Sequence, residues 1–530
     1  MAARRLVLAL DLGTSAVKAA LVDADRGTVS GSGREAYPTR TLPGGGAEQD
    51  PAAWLAAACT ACEQCFASAG ITARRTGDAE IIALGLTGQM QDVVLLGAHP
   101  VPALAPAILY SDVRAAGDAQ ALGGLLPRWE AIAGNEQDAT SCAATLRRLA
   151  REEPDLLART ERVVFGPAGY LAAALGCGAW CDLTTASTTG LLDLSARAWS
   201  ADVAGALGRP LDLLPDLAQA VPPTRPEGRV GRRGAPAGSG APERTGSSGA
   251  LVGRTDERAA GLLGLPRGIP VVLAPGDAAA TTLGAVGLQP GAGYVYLGTS
   301  GWVAEVTPAG AAGREGASHR LALPDARARL EISAVLAAGG AADWARAAFL
   351  DGASPARADA LLAERESSRG RGPSGLLALP SIRGERFPVR DAAARGAVIG
   401  MDAATRGIDL YAAVLEGVAL ALSHALEPGT GGTLPVAGGG AASGPWLRIL
   451  ADVTGRPVRR IGTEDAAVRG AALAAAGAVG ADGALAAPPA PGGGGRALIA
   501  PAERAHAAYA EHRRAHRALY GALAGLGAGA

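Results

Sequence analysis

The apolar positions of this chain fall into short runs, separated by glycine-rich turns and by stretches with helical spacing. Residues 5–10, RLVLAL, and 16–22, AVKAALV, are two such runs. Continuous apolar runs of this length predict buried strands, and the short break between them predicts a hairpin. TVSGSGREAYPT then continues the meander. Residues 51–69 form a helical pattern opened by QDPAAW, with Pro51 in the first turn, where its missing N–H is harmless. IIALGLTGQ (81–89) and PAILYSD (106–112) predict further strands, and LRRLAREEPDLLART predicts a charged helix lasting until Pro154.

The hairpin recurs. From Tyr294 the chain reads YVYLGTSGWVAEV, repeating the Leu-Gly-Thr-Ser of residues 12–15 between apolar runs, with Tyr296 where the first copy has Asp11. GIPVVLAPGD precedes it, and helices and strands follow as far as PVAGGG at 435–440. A hairpin near the start of each half predicts two related α/β domains facing each other across a cleft, where small ligands tend to bind. A length of 530 residues also exceeds one core. Residues 222–250 are rich in Pro, Gly, Ser and Arg, which predicts a flexible insertion or linker. The last forty residues turn Ala/Gly/Pro-rich and end in a helix carrying His506, His512 and His516. His512 and His516, at i and i+4, could chelate a metal, but on so arginine-rich a helix a solvated face is the simpler reading.

Composition narrows the classes. A formal net charge of −1 argues against electrostatic binding of nucleic acid. No run of 18 apolar residues predicts a membrane span. Two arginines and a short apolar run begin the chain like a leader, but Asp11 and Gly13 interrupt it, so a first strand and a cytoplasmic location are expected. Cys59, Cys62 and Cys65 give C-x2-C-x2-C, part of an iron–sulfur spacing, yet they sit in an Ala-rich helical segment and read better as small packing residues. Lys18 is the only lysine beside 48 arginines. That rarity marks it as a position arginine does not fill, or as a chance survivor.

Four segments could carry chemistry. In the first turn, Gly13 offers outward-turned amides and Thr14 and Ser15 offer hydroxyls, a concave anion site of the kind that cradles phosphates. Asp11 at the same mouth makes sense through a cation, Mg2+ being the hard ion that bridges carboxylate and phosphate oxygens. The plainer alternative is an ordinary hairpin whose Asp ends a strand. Gly298, Thr299 and Ser300 offer a second donor-rich turn. In PVVLAPGDAAATTLGAVG, Asp277 either caps a helix or serves as general base, the small residues after it allowing close approach of a substrate. In VAGGGAASGPW the glycines either shape a turn or let a flat base lie on the backbone. No G-x-x-x-x-G-K-[ST] is present, which excludes a P-loop.

In order and spacing, LDLGTSAVKAALVD, GLTGQMQDVVLL, AILYSDVRA, PGDAAATTLGAVG, YLGTSGWVAEVT, ARGAVIGMDAATRGIDLYAAVLEGVAL and VAGGGAASGPWLRILADVTGRPV resemble the FGGY carbohydrate kinases, above all their xylulokinase-like branch. The resemblance covers roughly residues 5 to 480. It implies an α/β fold of two ribonuclease-H-like domains of the actin/hexokinase type around a central cleft. It divides the chain into 1–288, 289–485 and a C-terminal segment 486–530. It implies ATP-dependent phosphorylation of a sugar hydroxyl, D-xylulose to its 5-phosphate first, another ketose or a polyol such as ribulose or an alditol next. A non-catalytic nucleotide-dependent regulator on the same fold is the remaining alternative. By position Asp277 matches the catalytic base and Asp11 the acid near Mg2+ and the phosphates. Gly13, Thr14, Ser15, Gly298, Thr299 and Ser300 match phosphate turns, and Lys18 matches a lysine often found in the first hairpin. Gly439, Gly440 and Ser443 match the nucleotide end, while Met90, Gln91, Asp112 and Arg114 match sugar-facing positions. A sugar and ATP are thus the expected partners, with Mg2+ as cofactor and a homodimer as a common state.

The departures fall on the sugar side. Gln91 stands where histidine is usual, Asp92 where glycine is, Tyr110 for tryptophan and Ala278 for asparagine, and ATSCAATLRRLA lacks the usual lysine and tryptophan. ATP phosphotransfer is therefore better supported than D-xylulose as acceptor.

Overall fold

Two six-stranded mixed sheets organise the chain. The structure, a computed structural model, describes residues 3–71, 79–98, 103–208, 211–219, 248–313, 316, 318–391, 393–426, 432–462, 465–481 and 498–523. The expected insertion at 222–250 lies almost wholly outside these residues, as does the start of the C-terminal segment. Two units form, one of Met1–Gly284, Leu321–Arg329 and Asp465–Pro489, the other of Ala285–Arg320, Leu330–Glu464 and Ala490–Ala530.

The first sheet contains β1 (Arg4–Leu12), β2 (Ala16–Asp23), β3 (Val29–Ala36), β4 (Ala79–Gly88), β5 (Ala250–Arg254) and β6 (Pro270–Leu273), in the order β5-β6-β4-β1-β2-β3. β1, β2 and β3 form an antiparallel meander, while β4 runs parallel to β1 and β6 parallel to β4. The second sheet contains β7 (Gly293–Leu297), β8 (Gly301–Pro308), β9 (His319–Ala322), β10 (Ala328–Val335), β11 (Leu434–Ala437) and β12 (Val458–Arg460), in the order β9-β10-β8-β7-β11-β12. Set aside the extra edge strands β5 and β9, and the two orders coincide: third, second, first, fourth, fifth. The recurring hairpin is the first pair of a topology built twice.

The unbroken apolar run of β1 follows from cover on both faces. Leu6, Leu8 and Leu10 pack in one core with Trp54 of the helix Pro51–Ser68, and Val7 and Ala9 pack in another with the alanines of the helix Ala466–Ala478. Asp50 caps the first of these helices, accepting the Ala52 N–H at 2.9 Å. Its small residues let it press on β3: a Cβ at Gly33 would come within 2.1 Å of the Ala61 carbonyl. Cys62 and Cys65 are buried in this core, and burial raises both thiols, so C-x2-C-x2-C is a packing feature here. Among the described residues no helix is long and apolar enough to cross a membrane.

The expected solvated face of the C-terminal helix needs correction. In the helix Glu503–Leu523, Tyr509, His516, Leu519 and Tyr520 are buried, because the helix Gly407–Ser423 and the strand Leu377–Leu379 cover that side. His516 is 0% exposed and its Nδ1 lies 3.2 Å from Nε2 of His424, with the rings stacked at 5.4 Å. No sequence pattern around His516 announces its partner 92 residues upstream.

Burial lowers both histidines below their ordinary value, so the folded state holds them neutral while the unfolded chain protonates them. Their contribution to stability is complete above pH 6.5 and is lost as pH falls toward 4. Thermal unfolding should show the midpoint falling over that range. His516→Gln should flatten the dependence by about 1.4 kcal/mol per pH unit for the group removed.

Candidate active site

In the first unit the carboxyl ends of the parallel strands β1, β4 and β6 lie side by side, the usual place for a ligand in such sheets. Asp11 is the penultimate residue of β1, paired with Lys18 on β2 and Thr87 on β4. The Thr87 hydroxyl donates to the Pro275 carbonyl at 2.7 Å, fixing the turn that carries Asp277 beyond β6. From the other side Asp182 accepts the Gly276 N–H at 2.9 Å. Met90, past the end of β4, packs on Gly276, where a Cβ would meet its Sδ at 2.4 Å. The fold thus brings together Asp11, Lys18, Met90 and Asp277, four of the residues singled out from the sequence.

Burial dominates the electrostatics. The half-buried Asp277 is pushed up to about 7, first by loss of water and then by the charge of Asp11, while the Ala278 N–H pulls it back and Asp182 adds a smaller push. Asp11 is pushed up to about 6, again first by burial, with Lys18 opposing and Asp465 reinforcing. Asp92, fully buried, is held well above the carboxylate range by burial, with the Tyr110 N–H opposing and Asp277 adding to the rise. Five carboxyl groups, those of Asp11, Asp92, Asp182, Asp277 and Asp465, therefore act on one another here, and no composition count reveals that.

The first turn is braced from behind. The Gly13 carbonyl accepts from the Tyr37 hydroxyl, and the Thr14 carbonyl accepts from Gln49 Nε2 at 2.8 Å. Thr14 and Ser15 remain exposed, their hydroxyls available to an anion. Gly13 itself departs from expectation. Its backbone is not in the left-handed region, and its N–H closes the turn on Ala16 O at 3.1 Å, so outward amides at this residue are not the device. Among the small residues after Asp277, Ala280 and Gly284 press against the helix Ala466–Ala478, a packing job.

The residues expected to face a sugar are largely tied to the protein. Gln91 adopts φ 70°, and its Nε2 donates to the Thr140 carbonyl at 2.9 Å. Asp112 accepts the Ala47 N–H at 2.9 Å and the Arg114 Nε at 2.8 Å, and Arg114 also donates to Glu48 at 2.8 Å. Burial works against the Asp112 charge, but Arg114 and the Ala47 N–H more than offset it and hold the carboxylate below its ordinary range. Asp112 is thus the support of Arg114, its oxygens already engaged.

In the second unit the turn after β7 is also braced through its carbonyls. Gly298 O accepts from Gly339 N at 2.7 Å, and Thr299 O accepts from Ala338 N at 2.9 Å and Gly340 N at 3.0 Å. The Thr299 side chain is exposed and Ser300 partly so. Tyr296 stacks on Trp302 at 3.9 Å where the first hairpin has its charged pair, and its ring lies against Gly298. The glycine turn follows β11 beside it. Gly438 takes φ 88° with the Leu297 carbonyl 2.5 Å from any Cβ, and Gly440 is crowded by Trp446, so these two glycines answer to packing. Gly439 alone is exposed with open space around it, which leaves it accessible to a flat ligand. Ser443 caps the helix Gly444–Thr454 and donates to Asp359 at 2.6 Å.

A cation would fit at Asp11. Its Oδ1 is buried and accepts no hydrogen bond among the described residues, an expensive state that a cation or cation-bound water relieves. Among those residues no cluster of three or more His, Cys, Asp or Glu could hold an ion unaided, so Mg2+ here would need water and phosphate oxygens as further ligands.

Comparison with known proteins bears on the family and the fold. The N-terminal domain model of the FGGY family of carbohydrate kinases matches residues 6–223, and its C-terminal domain model matches 293–479. A xylulose kinase of Streptomyces rubiginosus is 30% identical over 89% of this chain and 88% of its own. A glycerol kinase of Xanthobacter autotrophicus is 26% identical over 88% and 89%. The crystal structure of a xyloylose kinase from Brucella ovis superposes with a TM-score of 0.81 at 30% identity, covering 98% of this chain and all of that one.

The packing of Tyr296 generates a test. An alanine Cβ at Gly298 would lie 2.4 Å from the ring, displacing it from Trp302. Gly298→Ala should cost about 1–3 kcal/mol in chemical denaturation, and adding Tyr296→Ala should recover part of that loss.

Proposed function

The chain belongs to the FGGY family of carbohydrate kinases, and from that premise we propose that it transfers the γ-phosphate of ATP to a terminal hydroxyl of a ketopentose, D-xylulose before others. The observation that carries this reading is Asp277, a carboxyl group at the start of the helix beyond β6, near enough to Asp11 to feel its charge and pushed up to about 7. A base with that affinity is matched to accept a proton near neutral pH. As the acceptor oxygen bonds to the γ-phosphorus, its proton passes to Asp277, the bond to the bridging oxygen breaks, and ADP leaves.

The other residues bind and orient. Asp11 is the residue to hold Mg2+, which when bound would draw charge from the phosphate oxygens. Thr14 and Ser15 offer hydroxyl donors to phosphate, as Thr299 and Ser300 do in the second unit, and donors fixed in advance stabilise developing charge without reorganising. Lys18 holds part of the Asp11 charge in check. Exposed Gly439 offers backbone to the nucleoside.

Met90, packed against Gly276, supports a sugar-side role near the base. Gln91 is tied to Thr140 and Asp92 is buried, so this side differs chemically from a loop with a free histidine. That difference favours testing ribulose and alditols beside xylulose.

An ADP-release assay over D-xylulose, D-ribulose, L-ketoses and pentitols should show stimulation by a ketopentose, D-xylulose most. Stimulation by none of them overturns the sugar kinase reading. Asp277→Asn should lower kcat by about 10²-fold or more with ATP binding near wild type. Because the base must be deprotonated, kcat/KM should fall tenfold per unit below about pH 7 and level off above it.

A further inference from the structure

We propose that Asp182 is a positioning residue that aims Asp277 through the Gly276 N–H. One oxygen, Oδ1, accepts two backbone donors: Thr185 N at 3.0 Å, which caps the short helix Leu183–Ala186, and Gly276 N at 2.9 Å, 94 residues further along. The second bond joins separate parts of the fold immediately before the catalytic base. Its anchor is firm. Thr184 Oγ1 donates to the Ala322 carbonyl at 2.8 Å, and Ser187 Oγ accepts the Ala322 N–H at 3.1 Å. The Thr185 hydroxyl bears on Gly276 as well, 2.6 Å from where a Cβ would stand.

The residue type argues that the cap alone is not the purpose. Serine or threonine caps a helix about as well as aspartate and buries no charge. Here a carboxylate, 8% exposed, is kept out of water within reach of Asp277, an arrangement that costs stability and works against a second acid. A carboxylate reaches one bond further than a serine hydroxyl, and that extra length spans the gap to Gly276. With Thr87 holding the Pro275 carbonyl from the opposite side, the single peptide group between residues 275 and 276 is held at both its carbonyl and its N–H, which limits the swing of the Asp277 that follows. Preorganisation of this kind is what a general base needs, since a displacement of about 1 Å costs roughly 10²-fold in rate.

The inference rests on Asp277 being the base, so Asp277→Asn is measured alongside three variants of Asp182 in the full chain, with ATP and D-xylulose or whichever sugar of the panel is turned over. Asp182→Ala should lower kcat by about 10- to 100-fold with KM for ATP unchanged, and should lower the melting temperature. Asp182→Ser, which restores the cap but not the reach, should recover the melting temperature and not kcat. Asp182→Asn keeps an oxygen for both N–H groups, so it should recover most of kcat, and its acid limb should move to lower pH because a negative charge near the base is gone. Wild-type kcat in Asp182→Ala with Asp277→Asn inactive overturns the positioning role and spares the base. So does recovery of kcat in Asp182→Ser together with its melting temperature. An active Asp277→Asn overturns both.

Discussion

Two helices touch backbone to backbone, and the seat of the helix that begins with Asp277 depends on that contact. A Cβ at Gly284 would stand 1.9 Å from the Ala466 carbonyl, and one at Gly470 would stand 1.9 Å from the Ala280 carbonyl. No side chain larger than hydrogen fits at either position. The helix Asp277–Val286 is therefore seated against the helix Ala466–Ala478, which in turn presses on β4, where Gly85 meets the Ala471 carbonyl. Small residues bury little area each, but at this separation the dispersion contacts are dense and the geometry admits little slack. At Gly85, Gly284 and Gly470 a small residue is therefore a requirement of the fold.

That rigidity is set against an electrostatic cost. Asp11, Asp92, Asp182 and Asp277 are gathered where water is scarce, and burial comes first among the causes that raise each of them. Asp182 is compensated by backbone donors and Asp11 by Lys18, whereas Asp277 draws on little beyond the Ala278 N–H. Asp92 likewise draws on one backbone N–H, that of Tyr110, and is raised well above the carboxylate range, whereas Asp277 is pushed only to about 7. Perturbed acids of this kind collect at functional sites because the same arrangement that destabilises the charge tunes the chemistry.

The two hairpins share a topology and have diverged in content. In both, the turn carbonyls are bound from behind, leaving threonine hydroxyls outward. Leu12 pairs with Val17, but Leu297 pairs with Gly301, so the second turn is one residue tighter. The charged pair Asp11 and Lys18 is answered by Tyr296 stacked on Trp302. One hairpin keeps a buried oxygen without a hydrogen-bond partner among the described residues, and the other packs its equivalent position shut with rings. One strand order is built twice, and side chains at two positions set the hairpins apart.

Local chemistry was legible in the chain itself. Apolar runs and turn residues announced β1, β2, β7 and β8, the helix behind Pro51, the family and the catalytic candidates, because each depends on residues close together in sequence. Lys18 stood out by its rarity, and its place opposite Asp11 makes that survival intelligible. Pairings across long separations were beyond reach: Asp182 with Gly276, Thr87 with Pro275, His424 with His516, and the helix Ala466–Ala478 returning to the first sheet. The same limit explains Asp112 and Ser443, polar residues that look free in sequence and prove engaged by Arg114 and Asp359. A sequence specifies which groups can donate, accept or ionise. Only the closed fold decides which of them meet a partner and lose water, and so which remain for a ligand.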